Sequence, residues 1–193
     1  MNLINFESAL NTLQSGLPII FPTDTLPAIG CLPEFSGIIY DFKKRDINKP
    51  LILMGSDHKQ LIDYVNESAK EDYENLASRY WPGALTIIIP SSKKHSAILT
   101  SKDLTLGLRI PNSSIAQSLI KETGPLLTSS ANISGLTGSV TAEGIALDFP
   151  SVEILGPIPW EKSSGKASTI ISWKAYGHWS LIREGEVIVR ELN

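Results

Sequence analysis

The chain has 193 residues, of which 42 % are apolar and 19 % charged, and its formal net charge is −3. That length and balance suit one folded domain with a sizeable core. The slight negative charge excludes a global field that would gather nucleic acid, so any basic site has to be local.

The N-terminus, MNLINFESAL, lacks the basic segment and apolar core of a secretion signal. Residues 5–15 read as an opening helix stopped by Gly16. LPIIFP (17–22) reads as a short buried strand, and FPTDTLPAIG (21–30) as a β-turn stabilised by Thr23 and Asp24, with Thr25 beside them. Cys31 is the only cysteine, which excludes an internal disulfide and suits a reducing compartment. It reads as a small core residue rather than a nucleophile.

EFSGIIYDFKK (34–44) reads as a helix with cations at its C-terminal end, where they complement the dipole. Lys43, Lys44, Arg45 and Lys49 form the main basic run. Taken alone, this run fits either a solvated helix end or a phosphate clamp, in which Arg offers a planar fork and Lys a mobile charge. Pro50 keeps the chain extended and holds Lys49 at the mouth of the next strand, PLILMGS (50–56).

Residues 57–65 and 67–80 read as two helices, and ALTIIIP (84–90), bounded by Gly83 and Pro90, as a strand. LGLRI (106–110) is another strand, with Arg109 near the sheet rim because Pro111 stops the ladder. A helix over 113–122 precedes the strand PLLTS (125–129). That strand runs into TSSANISGLTGS (128–139), a loop of hydroxyls, one carboxamide and two glycines. Such a loop offers many small donors and lets backbone N–H groups approach a ligand closely. A helix over 141–148 and strands at 152–155, 168–173, 179–184 and 186–192 complete the chain. The last strands follow one another too closely for crossovers, so part of the sheet is antiparallel. The expected fold is α/β: one domain over 1–193, with a twisted mixed sheet, parallel and antiparallel, flanked by helices.

Several familiar chemistries are missing. SGKAST (164–169) lacks the first glycine of a P-loop, and no dinucleotide fingerprint or nucleophile elbow occurs. His58, His95 and His178 are too widely spaced for a metal-ligand pattern. Trp81, Trp160, Trp173 and Trp179 are not interleaved with basic residues, so they read as packing rather than a base-stacking platform. No run approaches the ~20 apolar residues of a membrane helix, and a cytoplasmic location is expected.

Seven segments in this order resemble the YrdC/TsaC family of threonylcarbamoyl-AMP synthases. They are FPTDTLPAIG (21–30), KKRDINKPL (43–51), WPGALT (81–86), LGLRIP (106–111), TSSANISG (128–135), ASTI (167–170) and LIREG (181–185). The resemblance spans about 17–190 and implies a single α/β domain with a large open cationic cleft. It also implies that Lys43, Arg45 and Lys49 face the nucleotide, while Lys44 points away. Thr105, Ser130, Asn132, Ser139 and Arg183 would complete the ATP site, with Lys43, Arg45, Ser130 and Asn132 as the catalytic set. The spacing to Ser139 is one residue longer than the family pattern. Thr25, Arg109, Thr128 and Ser168 would hold the amino acid, with Arg109 on its carboxylate.

Two departures stand out. Leu-Pro-Ala-Ile-Gly follows Thr25 where the family has Tyr-Gly-Leu-Gly, and Met54 stands where many relatives have a histidine that helps hold threonine. Met cannot donate that hydrogen bond. The implied reaction condenses L-threonine, bicarbonate and ATP, with Mg²⁺ arriving on the nucleotide and no protein metal site. The product serves threonylcarbamoylation of adenosine 37 in tRNAs reading ANN codons, performed by downstream transferase proteins. Two rival readings remain at this stage: a paralogous nucleotide-binding enzyme with another acceptor, and a non-catalytic protein that binds tRNA or double-stranded RNA by backbone contacts.

Overall fold

The β-branched and aliphatic runs assemble into one sheet in the computed structural model, which describes residues 1–98 and 104–192. Its strands are β1 (Asn2–Ile4), β2 (Ile19–Phe21), β3 (Ala28–Cys31), β4 (Ile52–Met54), β5 (Leu85–Pro90), β6 (Thr105–Arg109), β7 (Leu126–Ser130), β8 (Glu153–Leu155), β9 (Thr169–Ala175) and β10 (His178–Arg183). Their order across the sheet is β1-β8-β2-β3-β7-β4-β6-β5-β9-β10. Parallel pairing joins β8 to β1 and β2, β4 to β6 and β5 to β9. The other neighbours are antiparallel, so the expected mixed α/β sheet is what the chain forms.

The helices are α1 (Phe6–Gln14), α2 (Gly37–Lys43), α3 (His58–Leu61), α4 (Lys70–Tyr80), α5 (Ser114–Thr123) and α6 (Ala142–Asp148). Side chains of Asn5, Asp57, Ser113 and Thr141 accept from the first-turn N–H groups of α1, α3, α5 and α6, satisfying donors that helix starts leave open. Lys44 closes α2 in a left-handed conformation, φ 49°. The chain therefore turns between Lys43 and Arg45, and these two cations leave the helix in different directions.

Alternate residues of each strand face opposite ways, and the two faces have different fates. Leu53, Leu85, Ile87, Ile89, Leu106, Leu108, Leu127 and Ile171 form one core with Ile39, Leu61, Tyr73, Leu76 and Ile145 from the helices. On the other face, Ala9, Leu13, Ala116, Leu119 and Ile120 of α1 and α5 pack on Ile19, Phe21, Ala28, Met54, Leu126 and Leu155. That cover stops at β4. The same face of β6, β5 and β9, carrying Gly107, Arg109, Thr86, Ile88, Ile170 and Ser172, lines an open cleft.

The structure departs from the sequence expectations in a few places. Residues 186–192 form no strand, although their alternating pattern imitates one. Gly185 lies against the Ala167–Thr169 backbone, where a Cβ would come within 2.4 Å of the Ala167 carbonyl oxygen. Beyond it the Glu186 N–H donates to Ala167 O at 3.0 Å, and Arg79 and the Tyr80 hydroxyl each donate to Glu191 at 2.6 Å. Side-chain anchors thus replace a ladder. Strand β1 was not anticipated, and β3 falls largely within the stretch expected to form a turn; each is only three or four residues long. The helix over 57–65 is α3 followed by a 3₁₀ turn at Ile62–Tyr64.

Cys31 is a core thiol, pushed up to about 12 by burial and then by Glu34. The indole N–H groups of Trp81, Trp160 and Trp173 donate to Leu85 O, Leu155 O and Asp72, and all three rings pack on the core. Among the described residues no helix is long and apolar enough to cross a membrane.

Asp72 is the buried anchor between α4 and the β9–β10 hairpin, accepting from Trp173 Nε1 at 2.7 Å and Gly177 N at 2.8 Å. Asp72→Ala leaves both donors without that partner, and a loss of about 1–3 kcal/mol is expected for such a buried group. Urea unfolding checks it, and an unchanged midpoint would remove Asp72 as the anchor.

Candidate active site

The cleft has a volume of about 960 Å³ and gathers Thr25, Arg45, Thr105, Arg109, Thr128, Ser130, Ser168 and Arg183 among its lining residues. These come from six stretches of chain, and eight of the twelve residues expected in the site meet there. Lys43, Lys49, Asn132 and Ser139 do not line it.

Arg109 is buried, and its guanidinium is heavily engaged. It donates to Asp24 Oδ1 at 2.7 Å, Thr25 Oγ1 at 2.8 Å and the Gly83 carbonyl at 3.1 Å. Burial presses its pKa down and Asp24 opposes that; the group stays charged, as guanidinium does in proteins. The threonines of the hairpin form a relay. The Thr23 hydroxyl donates to Leu26 O at 2.7 Å, so the 3.1 Å bond between Thr23 and Thr25 takes its proton from Thr25.

Arg45 and Arg183 are differently placed. Arg45 donates to the carbonyls of Lys49 and Pro50 at 3.2 and 3.1 Å. Arg183 donates to Ser168 O at 2.8 Å and to Ser168 Oγ at 3.3 Å, and Ser168 Oγ lies 2.8 Å from Thr86 Oγ1. Neither arginine forms an ion pair among the described residues. Burial and then the Arg45 charge lower the pKa of Arg183, and Arg183 in turn presses on Arg109. Arg183 is therefore the guanidinium that couples Arg45 to Arg109 along the cleft.

Lys43 lies beneath the hydroxyl loop, 1 % exposed. Its ammonium donates to the Ser130 carbonyl and, at 3.4 Å, to Asn132 Oδ1. Asn132 Oδ1 also accepts from Ser130 Oγ at 2.5 Å, while its Nδ2 donates to Ile133 O and Leu136 O at 3.1 and 2.6 Å. The carboxamide is fully committed to holding the loop, which corrects the expectation that it faces the nucleotide. Ser139 is likewise engaged at the start of α6, accepting from Thr141 N at 3.1 Å and packing where a Cβ on Gly144 would sit. Lys49 is exposed and contributes its carbonyl to Tyr40 and Arg45. Lys44 is exposed outside the cleft, as expected.

Sequence reasoning missed Asp24 as the partner of Arg109, Thr86 as the partner of Ser168, and Gly107, whose missing side chain leaves room between Ile52 and Thr86. The only available signal was the alternation of LTIIIP and TLGLR, which puts Thr86 and Gly107 opposite the core positions.

Three comparisons bear on this arrangement. A family model, Sua5_yciO_yrdC, described as "Telomere recombination", matches residues 11–185. A threonylcarbamoyl-AMP synthase of Vibrio parahaemolyticus is 35 % identical over 147 residues, 73 % of this chain and 79 % of that one. Another, from Buchnera aphidicola, is 31 % identical over 96 % of this chain and all of its own length. P. abyssi Sua5 complexed with L-threonine superposes with a TM-score of 0.85 at 29 % identity, covering 96 % of this chain. The present chain spans 58 % of that longer protein.

Burial, and then the Arg45 charge, lower the Lys43 pKa from 10.5 to about 7. The unfolded chain thus binds the extra proton between those values, so charged Lys43 opposes folding fully below about pH 7 and the penalty fades as pH rises toward 10.5. In Lys43→Met the melting temperature, relative to the parent, should fall as pH rises from 6.5 to about 9.5. A difference independent of pH would show that Lys43 does not titrate in that window.

Proposed function

Because the chain belongs to the Sua5_yciO_yrdC family, we propose that it is a threonylcarbamoyl-AMP synthase, condensing L-threonine, bicarbonate and ATP with release of pyrophosphate. One observation carries the reading: charge is divided along the cleft. Among the described residues Arg45 and Arg183 have only carbonyl and hydroxyl acceptors, which suits the polyanionic end of a nucleotide. Arg109 is neutralised by Asp24, which suits a zwitterion. Three of the five guanidinium N–H groups of Arg109 are engaged, leaving two for a carboxylate, with Asp24 beside the ammonium.

In this reading the threonine amine captures bicarbonate as a carbamate. A carbamate oxygen then forms a bond to the α-phosphorus as the bond to pyrophosphate breaks. Both partners are anions, and the fixed guanidinium groups offset their repulsion without reorganising. No covalent enzyme intermediate is required, so the protein's part is placement and charge. Lys43 and Asn132 act indirectly, by holding the Ser130 loop. Mg²⁺ fits as a passenger on the phosphates, screening their charge: the lining offers hydroxyls and guanidinium groups, and Asp24 is bound to Arg109. Partner proteins would transfer the product to adenosine 37 of tRNAs reading ANN codons, which places the enzyme with tRNA in the cytoplasm.

Pyrophosphate release from ATP, measured without RNA, should require both L-threonine and bicarbonate. Arg45→Ala and Arg183→Ala should each lower turnover by at least ~10²-fold, the scale of losing one positioned transition-state donor. Lys44→Ala should stay near wild type, because Lys44 is exposed away from the cleft. Release that is indifferent to threonine would overturn the proposal.

A further inference from the structure

We propose that Thr86 is a positioning residue for the adenylation step: by donating to Ser168 Oγ it aims the serine's own hydroxyl proton into the cleft, where the two reactants meet. This rests on the synthase reading above and assigns a further role within the same site.

The order of the strands carries the inference. Arg109 lies on β6 and Arg183 on β10, and the strands between them are β5 and β9. Thr86 is on β5, and Ser168 stands one residue before β9. Both line the cleft. The amino-acid end and the phosphate end are therefore joined across these two hydroxyls, and the carbamate oxygen approaches the α-phosphorus over them.

Protons and lone pairs give the direction of the contact. The two hydroxyl oxygens are 2.8 Å apart, so one proton lies between them. Ser168 Oγ also accepts from Arg183 at 3.3 Å, and the Ser168 carbonyl accepts from the same guanidinium at 2.8 and 3.2 Å. Thr86 is fully buried, and among the described residues its hydroxyl has no partner besides Ser168. Its proton is satisfied by donating to that serine. Both lone pairs of Ser168 Oγ are then filled from within the wall. Ser168 keeps a residual exposure of 3 %, and its own proton has the cleft as its outlet. A hydroxyl that accepts from a cation is in turn a better donor.

Packing fixes the Thr86 side chain in this pose. Its Cγ2 borders the notch left by Gly107, where an added Cβ would sit 3.6 Å away. A β-branched side chain held by its methyl has little freedom left at χ1, so the hydroxyl stays on Ser168. During the reaction the Ser168 proton remains on its oxygen. It donates to an anionic oxygen of the carbamate or the α-phosphate, while the carbamate oxygen bonds to phosphorus and the bond to pyrophosphate breaks.

The test is pyrophosphate release by the full chain with ATP, bicarbonate and L-threonine. Thr86→Val keeps the branched shape and removes the hydroxyl. Turnover should fall at least ~10-fold, with KM for ATP and for threonine changed by less than about threefold, because the aimed donor acts chiefly in the transition state. Thr86→Ser, which keeps the hydroxyl, should hold turnover within about threefold of the parent. Added to Ser168→Ala, Thr86→Val should cost less than about twofold more, because Thr86 acts through Ser168. Parent-level turnover in Thr86→Val overturns the proposal. So does a loss that repeats in full in the Ser168→Ala background, which marks a packing role, or a Thr86→Ser variant as slow as Thr86→Val. A parent chain that releases no pyrophosphate with threonine overturns the synthase reading and this inference together.

Discussion

Arg109 reaches two separate stretches of chain from a position that is 3 % exposed. Asp24 and Thr25 come from the β2–β3 hairpin, and Gly83 from the turn that enters β5. A buried guanidinium is tolerable only when paired and hydrogen-bonded, and losing one partner of such a pair typically costs about 3–5 kcal/mol. The geometry of the hairpin, the rim of β6 and the start of β5 are therefore one constraint. Asn112 N adds to it by donating to the same Asp24 oxygen at 3.1 Å, so the chain leaving β6 toward α5 is tied to the hairpin as well.

Most of the polar groups around the cleft serve the protein first. Thr25, Thr128, Ser130 and Asn132 all direct their side-chain protons inward. What remains for a ligand is guanidinium capacity, the accepting lone pairs of the lining hydroxyls, backbone groups and shape. This is the economy of a preorganised site: rotors that are already fixed lose little entropy when a reactant arrives, and charges that are already placed need no reorganisation. Lys43 marks the limit of the arrangement. A buried cation with only dipoles for partners is costly, and burial, then the Arg45 charge, lower its pKa accordingly.

The open half of the sheet follows from how helices are distributed. α1 and α5 cover one face as far as β4, and α2, α3, α4 and α6 cover the opposite face. The uncovered half-face must be compatible with water, and its alternate positions on β6, β5 and β9 carry Gly107, Arg109, Thr86 and Ser172 beside Ile88 and Ile170. Binding site and unburied sheet are the same surface.

The sequence by itself determined the class of fold, the position of most strands, the hydroxyl loop and the arginines of the cleft, because strand period, turn residues and the resemblance of seven short segments are local properties. Thr25, Arg109, Thr128, Ser168 and Arg183, marked from the sequence, line one cleft. Only the tertiary structure decided which polar residues face the ligand and which hold the wall. Lys43 and Arg45 are two residues apart, yet the left-handed turn at Lys44 sends one beneath the loop and the other to the cleft. Asn132 looks like a ligand-facing amide until Lys43, Ser130, Ile133 and Leu136 are seen to use all of its capacity. The tail at 186–192 keeps a strand-like alternation, but whether it pairs depends on Gly185 packing on a backbone seventeen or so residues upstream. Side-chain direction and hydrogen-bond saturation are properties of contacts between distant segments, and no local pattern encodes them.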